Sequence, residues 1–115
     1  MNIVSLLPHQ IILRLPDGTD HVVQPSGTVC RCRPGQATVG DEGLPVPVAR
    51  TGRHGPVEGL PPPAEGTVYL VSRLVLDHPD VASRRDVLAP GTGPDDDPVR
   101  IGGQIVAVRR LVGRA

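Results

Sequence analysis

The chain has 115 residues and no net formal charge, and its apolar residues are almost all aliphatic: it holds one Tyr and neither Phe nor Trp. That length fits a single domain. Charge balance in both halves argues against nonspecific nucleic-acid binding, and no apolar run reaches membrane-spanning length. The first residues lack the basic segment and apolar stretch of a secretory signal, so the expected compartment is the cytoplasm. All 12 basic residues are arginine. The 14 Gly and 14 Pro approach the composition of disordered segments, but the apolar runs between them are short, dense and bounded by turn signals.

Asn2 to Leu7 carries Ile3, Val4, Leu6 and Leu7 and reads as a first short strand, interrupted by Pro8. Ile11 to Leu15 and His21 to Val23 flank Pro16-Asp17-Gly18-Thr19. Proline presets such a turn and glycine tolerates its positive dihedral, so Gln10 to Gln24 is expected to be a β-hairpin. Pro25-Ser26-Gly27 makes a second turn before a strand from Thr28 to Arg33. Cys30 and Cys32, two apart in that strand, point the same way, and the expected direction is inward. A disulfide across this spacing would be strained, so two reduced, metal-free thiols are expected. A metal site with His21 as third ligand is the alternative.

Pro34 to Gly43 reads as a connection with little regular structure, containing a short strand at Thr38-Val39 or serving as a flap. In Leu44 to Thr51, proline alternates with β-formers. Proline cannot donate a ladder hydrogen bond, which predicts an edge strand or an extended segment. Gly52 to Gly55 reads as a tight turn, and Pro61-Pro62-Pro63 as a stiff extended connector.

Glu65 to Leu76 is the longest nearly continuous apolar, β-branched run and holds the single aromatic residue. It predicts a central strand over Thr67 to Val71, ended by the polar pair Ser72-Arg73. Arg73 to His78 has room for two helical turns, with Leu74 and the next apolar residues docked on the sheet. Asp80 to Arg85 suits a surface helical turn, and Asp86 to Ala89 an extended segment. Pro90 to Pro94 is a glycine-rich loop. Asp95, Asp96 and Asp97 follow as a solvated acidic loop that lacks the ligand spacing of a calcium site. Val99 to Ile101, Gly102-Gly103 and Ile105 to Val108 predict a closing hairpin, with Arg109, Arg110 and Arg114 on an exposed end. The expected fold is β-rich α+β with six to eight strands. It is a compact antiparallel or mixed sheet, with a partly closed barrel as one form of it, carrying one short helix.

The opening Asn2-Ile3-Val4-Ser5-Leu6-Leu7-Pro8-His9 resembles the Asn-(Leu)-Thr-Pro-His opening of small proteins of tailed phages, prophages and actinobacterial genomes. Their central Glu-Gly-Thr-x-Tyr-x-Val-Ser-Arg-Leu-Val segment is similar to Glu65 through Val75. Ala89 through Pro94, Gly103 through Val106 and Arg109 extend the resemblance over nearly the whole chain. It implies a phage-related context and no particular reaction. Leu7 stands where that group carries Thr, so no hydroxyl precedes Pro8 here.

The candidate ligand-binding residues are His9, Ser72, Arg73, Gly91, Thr92 and Gly93. Arg73 at a strand end can present two parallel donors to a phosphate or carboxylate. Gly91, Thr92 and Gly93 can add backbone N–H groups and a hydroxyl. The loop lacks the Gly-Lys-Ser/Thr ending of a phosphate loop. An Arg73 ion pair with Asp77 or Asp86 is the structural alternative. His9, fixed behind a proline, suits a ligand contact or a base.

These residues favour a small non-catalytic module for an anionic small molecule, a nucleotide being one member of that class. No metal or cofactor is implied. A structural or protein-interaction domain of phage origin, forming a homo-oligomer through the Leu44 to Val48 edge, is the second reading. A hydrolase using His9 with Ser72 and Asp86 is the third, although Ser72 lacks the glycines of a nucleophile elbow.

Overall fold

The computed structural model of the protein describes residues 1–33, 35, 37–51 and 55–115. Its centre is a mixed four-stranded sheet in the order β1 (Asn2–Ser5), β8 (Thr67–Leu70), β9 (Val87–Pro90) and β12 (Leu111–Val112). β1 and β8 run parallel, as do β8 and β9, while β12 returns antiparallel to β9. Four two-stranded ribbons surround this sheet. They pair β2 (Ile11–Arg14) with β3 (Asp20–Val23), and β4 (Arg31–Cys32) with β7 (Val57–Glu58). They also pair β5 (Ala37–Gly40) with β6 (Val48–Thr51), and β10 (Val99–Ile101) with β11 (Gln104–Ala107). One short helix, α1 (Arg73–Leu76), lies between β8 and β9. The fold is thus β-rich α+β, and the sheet is open, with β1 and β12 at its edges rather than closed into a barrel.

Period-two alternation explains why both faces of the sheet are covered. Tyr69, Val71, Val87 and Ala89 point to one face and pack with Leu6, Cys30, Val75, Leu76 and Val81. Leu70 points to the other, where it meets Leu7 and Val23, with Ile3, Ile11, Leu13 and Leu88 around them. The helix covers the first face and the β2–β3 hairpin covers the second. The Tyr69 hydroxyl reaches out of the first face and donates to the Pro62 carbonyl at 3.3 Å. Arg84 Nη2 donates to the Pro61 carbonyl at 3.0 Å, so the proline connector is tied to the core by its carbonyls.

The predicted hairpin over Gln10 to Gln24 is present, with Ile11 opposite Val23 and Arg14 opposite Asp20. The closing hairpin is also present. Gly102 and Gly103 have φ of 59° and 81°, the pair of positive dihedrals that a tight two-residue turn requires. The short strand expected at Thr38-Val39 is present within β5, which pairs residue by residue with β6. Two expectations are corrected. Leu74 is 53% exposed, so of the expected docking residues only Val75 and Leu76 hold the helix on the sheet. The acidic trio is not uniformly solvated: Asp96 is 8% exposed and paired with Arg110. Arg109, Arg110 and Arg114 are exposed, as expected, and each also donates to a backbone carbonyl. Arg114 Nη1 donates to the His78 carbonyl at 3.1 Å, and Leu111–Val112 between them forms a sheet edge. The turn expected at Gly52 to Gly55 falls mostly outside the described residues.

The radius of gyration is 16.9 Å, and the molecule measures 56 × 38 × 27 Å. A globular chain of this length would have a radius near 13 Å. The difference arises because the sheet core is compact while hairpins project from it. The β5–β6 hairpin is one of them: among the described residues its two strands pair only with each other.

Candidate functional site

Parallel strands bring their carboxyl ends to the same side of a sheet, so the segments that follow them meet there. β1, β8 and β9 are mutually parallel through β8. Leu7 and His9 follow β1, Ser72 and Arg73 follow β8, and Pro90 and Thr92 end and follow β9. All six line one cleft of about 460 Å³. Ile11 and Ile12 of β2 and Ile105 to Val108, from β11 onward, complete its wall. The wall stands there because β2 and the end of β11 are stitched together: Arg14 N–H donates to the Val108 carbonyl at 2.8 Å, and Val108 N–H donates to the Ile12 carbonyl at 2.9 Å.

Ser72 has an extended backbone and caps α1, accepting from the Val75 N–H at 3.3 Å through Oγ. Its hydroxyl proton remains free to donate. Arg73 donates through Nε to Asp77 at 3.4 Å, a contact one helical turn long between side chains 61% and 60% exposed. Such an exposed pair contributes at most about 1 kcal/mol. Among the described residues, Nη1 and Nη2 of Arg73 have no protein acceptor. The ion pair with Asp77 therefore exists and leaves half the guanidinium fork open. Asp86, the other expected partner, is instead held by Arg84 through two hydrogen bonds of 2.8 and 2.9 Å. That fork pulls the Asp86 carboxyl below its ordinary value.

Gly91 and Gly93 do not contribute the N–H groups expected of them. Gly91 N–H donates to the Arg110 carbonyl at 2.9 Å, and Gly93 N–H donates to Asp96 Oδ2 at the same distance. Neither glycine lines the cleft, whereas Thr92 between them does. The loop is built by Asp96. Its carboxylate takes Arg110 Nε at 2.6 Å on one oxygen and Gly93 N–H on the other. Arg110 Nη2 also reaches the Asp95 carbonyl at 2.7 Å. The Arg110 hydrogen bond is the main reason the Asp96 carboxyl is held below its ordinary range, with the Gly93 N–H and the positive charge of Arg73 adding to it. A Cβ on Gly91 would stand 2.8 Å from the Arg110 carbonyl, which explains glycine at this close crossing.

His9 is exposed at the cleft, with Nδ1 3.2 Å from the Gln10 carbonyl. Ser72 and His9 share the cleft, but Asp86 does not line it and both its oxygens are engaged by Arg84. The three groups of a hydrolytic relay are therefore not assembled. Cys30 is buried in the core and Cys32 is half-buried, both as free thiols. His21 stands opposite Leu13 in the β2–β3 ribbon, whereas Cys32 pairs with Val57 in the β4–β7 ribbon. Among the described residues, no three His, Cys, Asp or Glu side chains gather as a metal site.

The apolar wall went unread in the sequence. Ile105 and Val106 looked like ordinary hairpin residues, yet they are 37% and 39% exposed and face the cleft. Comparison of the chain with protein-family models, curated proteins and solved structures finds no match.

Proposed function

We propose that the protein is a small non-catalytic module that binds an anionic small molecule in the cleft at the carboxyl ends of β1, β8 and β9. One observation carries this reading: residues from three strand ends, His9, Ser72, Arg73 and Thr92, meet in one concave, largely apolar cleft. The open half of the Arg73 fork supplies charge and bidentate geometry, and the Ser72 and Thr92 hydroxyls can add hydrogen bonds. Calorimetric titration of a panel of organic acids and nucleotides, backed by thermal shift, tests it. An anion should raise the melting temperature of the wild type. Arg73→Lys should weaken it, since charge is kept and the fork is lost. Arg73→Ala should weaken it further, by about 2 kcal/mol or more if the pair is desolvated. If no anion binds the wild type and Arg73→Ala mainly lowers the melting temperature, Arg73 is a fold-stabilising group and the reading is wrong.

A second reading has its own observation. Val39, Leu44 and Val46 are 64%, 55% and 62% exposed on the β5–β6 hairpin, whose outer edges are unpaired among the described residues. A second copy of the chain pairing along this arm would cover them and make a structural homo-oligomer, in keeping with the resemblance to phage proteins. Sedimentation equilibrium of the wild type and Leu44→Asp discriminates. A dimer lost on substitution favours the arm, and a monomer at all concentrations excludes it.

A further inference from the structure

We infer that the ligand of the cleft is an aliphatic monocarboxylate, with its carboxylate on Arg73 and its chain along the wall formed by Leu7, Ile11 and Val106. The inference rests on the cleft being an anion site, and it narrows the class of anion. Three features point the same way.

The first is charge. Among the described residues, Arg73 is the one permanently charged side chain lining the cleft, and it already shares Nε with Asp77. The backbone donors that could spread a second or third negative charge, Gly91 and Gly93, are committed to Arg110 and Asp96. Asp96 itself adds negative charge behind the loop, offset by Arg110. One guanidinium fork matches one carboxylate, whereas a di- or triphosphate would be left with uncompensated charge.

The second is the absence of a stacking surface. Nucleotide bases are commonly held against aromatic rings. The single aromatic residue, Tyr69, is buried in the other face of the sheet with its hydroxyl on Pro62, away from the cleft. The cleft is walled by branched aliphatic side chains, which suit a flexible alkyl chain.

The third is exposed apolar surface. Ile105 and Val106, 37% and 39% exposed, both line the cleft. An alkyl chain lying there would bury them, and each added methylene should tighten binding about fourfold.

The test is calorimetric titration of the full chain with butanoate, hexanoate and octanoate, with octanol as the uncharged counterpart and adenosine monophosphate as the nucleotide probe. Expected are a Kd falling about fourfold per methylene along the series and octanol binding that ignores Arg73→Ala. In that variant octanoate should weaken at least about tenfold. Val106→Asp, which leaves Arg73 intact, should abolish octanoate binding. If adenosine monophosphate binds through Arg73 and octanoate does not, the monocarboxylate assignment is overturned while the cleft remains an anion site. If octanoate binds with no dependence on chain length or on Val106, the aliphatic wall is not used and the assignment also falls. If neither anion binds, the assignment fails together with the reading of the cleft beneath it.

Discussion

Among the described residues, Asp77 is the one side chain that pairs with Arg73. Asp77 offers one long hydrogen bond between side chains about 60% exposed, while a ligand in the cleft would meet the two Nη groups left without a partner among the described residues. Asp77→Asn should therefore change the melting temperature little, by an amount equivalent to less than about 1 kcal/mol. It should also strengthen anion binding, because the competing carboxylate is gone; calorimetry on this variant checks both. Asp86 behaves differently. Its folded-state carboxyl lies below the ordinary 3.8 because Arg84 hydrogen bonds favour the charged form. The resulting stability is complete above about pH 3.8 and is lost as pH falls through the lower folded value. Circular-dichroism melts from about pH 5 to about pH 2 should show the wild type losing stability more steeply than Asp86→Asn. Burial pushes the Cys30 thiol up, with Cys32 adding to the rise. A thiol-reactive disulfide reagent at mildly alkaline pH should modify Cys32 well before Cys30.

At the scale of elements, β8 is where the protein concentrates its packing. Leu70 and Val71 are fully buried, and Tyr69 nearly so, between strands on both sides. Amide exchange should be slowest from Tyr69 to Val71 and fastest in β5 and β6, whose residues are mostly exposed. Leu70→Ala should cost about 2–5 kcal/mol in chemical denaturation, since Leu70 is fully buried against Leu7 and Val23. The loop after β9 depends on glycine for a different reason. Gly91→Ala would drive a methyl into the Arg110 carbonyl, separating the loop from the chain entering β12 and displacing Thr92 from the cleft. Its expected signature is weakened anion binding that exceeds any loss of melting temperature.

At the scale of the whole molecule, projecting hairpins dominate the shape, and small-angle scattering of a monomer should give a radius well above the ~13 Å of a globular chain this long. The elements themselves were largely legible in the residues. Pro-Asp-Gly and Gly-Gly marked two hairpins, the Thr67 to Val71 run marked the central strand, and the polar pair Ser72-Arg73 marked its end. These signals are local: a turn dihedral, a β-branched run or a polar break acts over a few residues. Strand direction is not local. Nothing in Asn2 to Ser5 states that it lies parallel to Thr67 to Leu70, more than 60 residues away. Antiparallel pairing would have sent His9 and Arg73 to opposite ends of the sheet. The Arg110–Asp96 pair that takes Gly91 and Gly93 out of the anion site is equally invisible, because it needs β12 to return beside β9. The chain by itself determined which residues form strands and turns. Only the tertiary structure decided that three strand ends point the same way and make one cleft, because that direction is set by side-chain burial on both faces of the sheet.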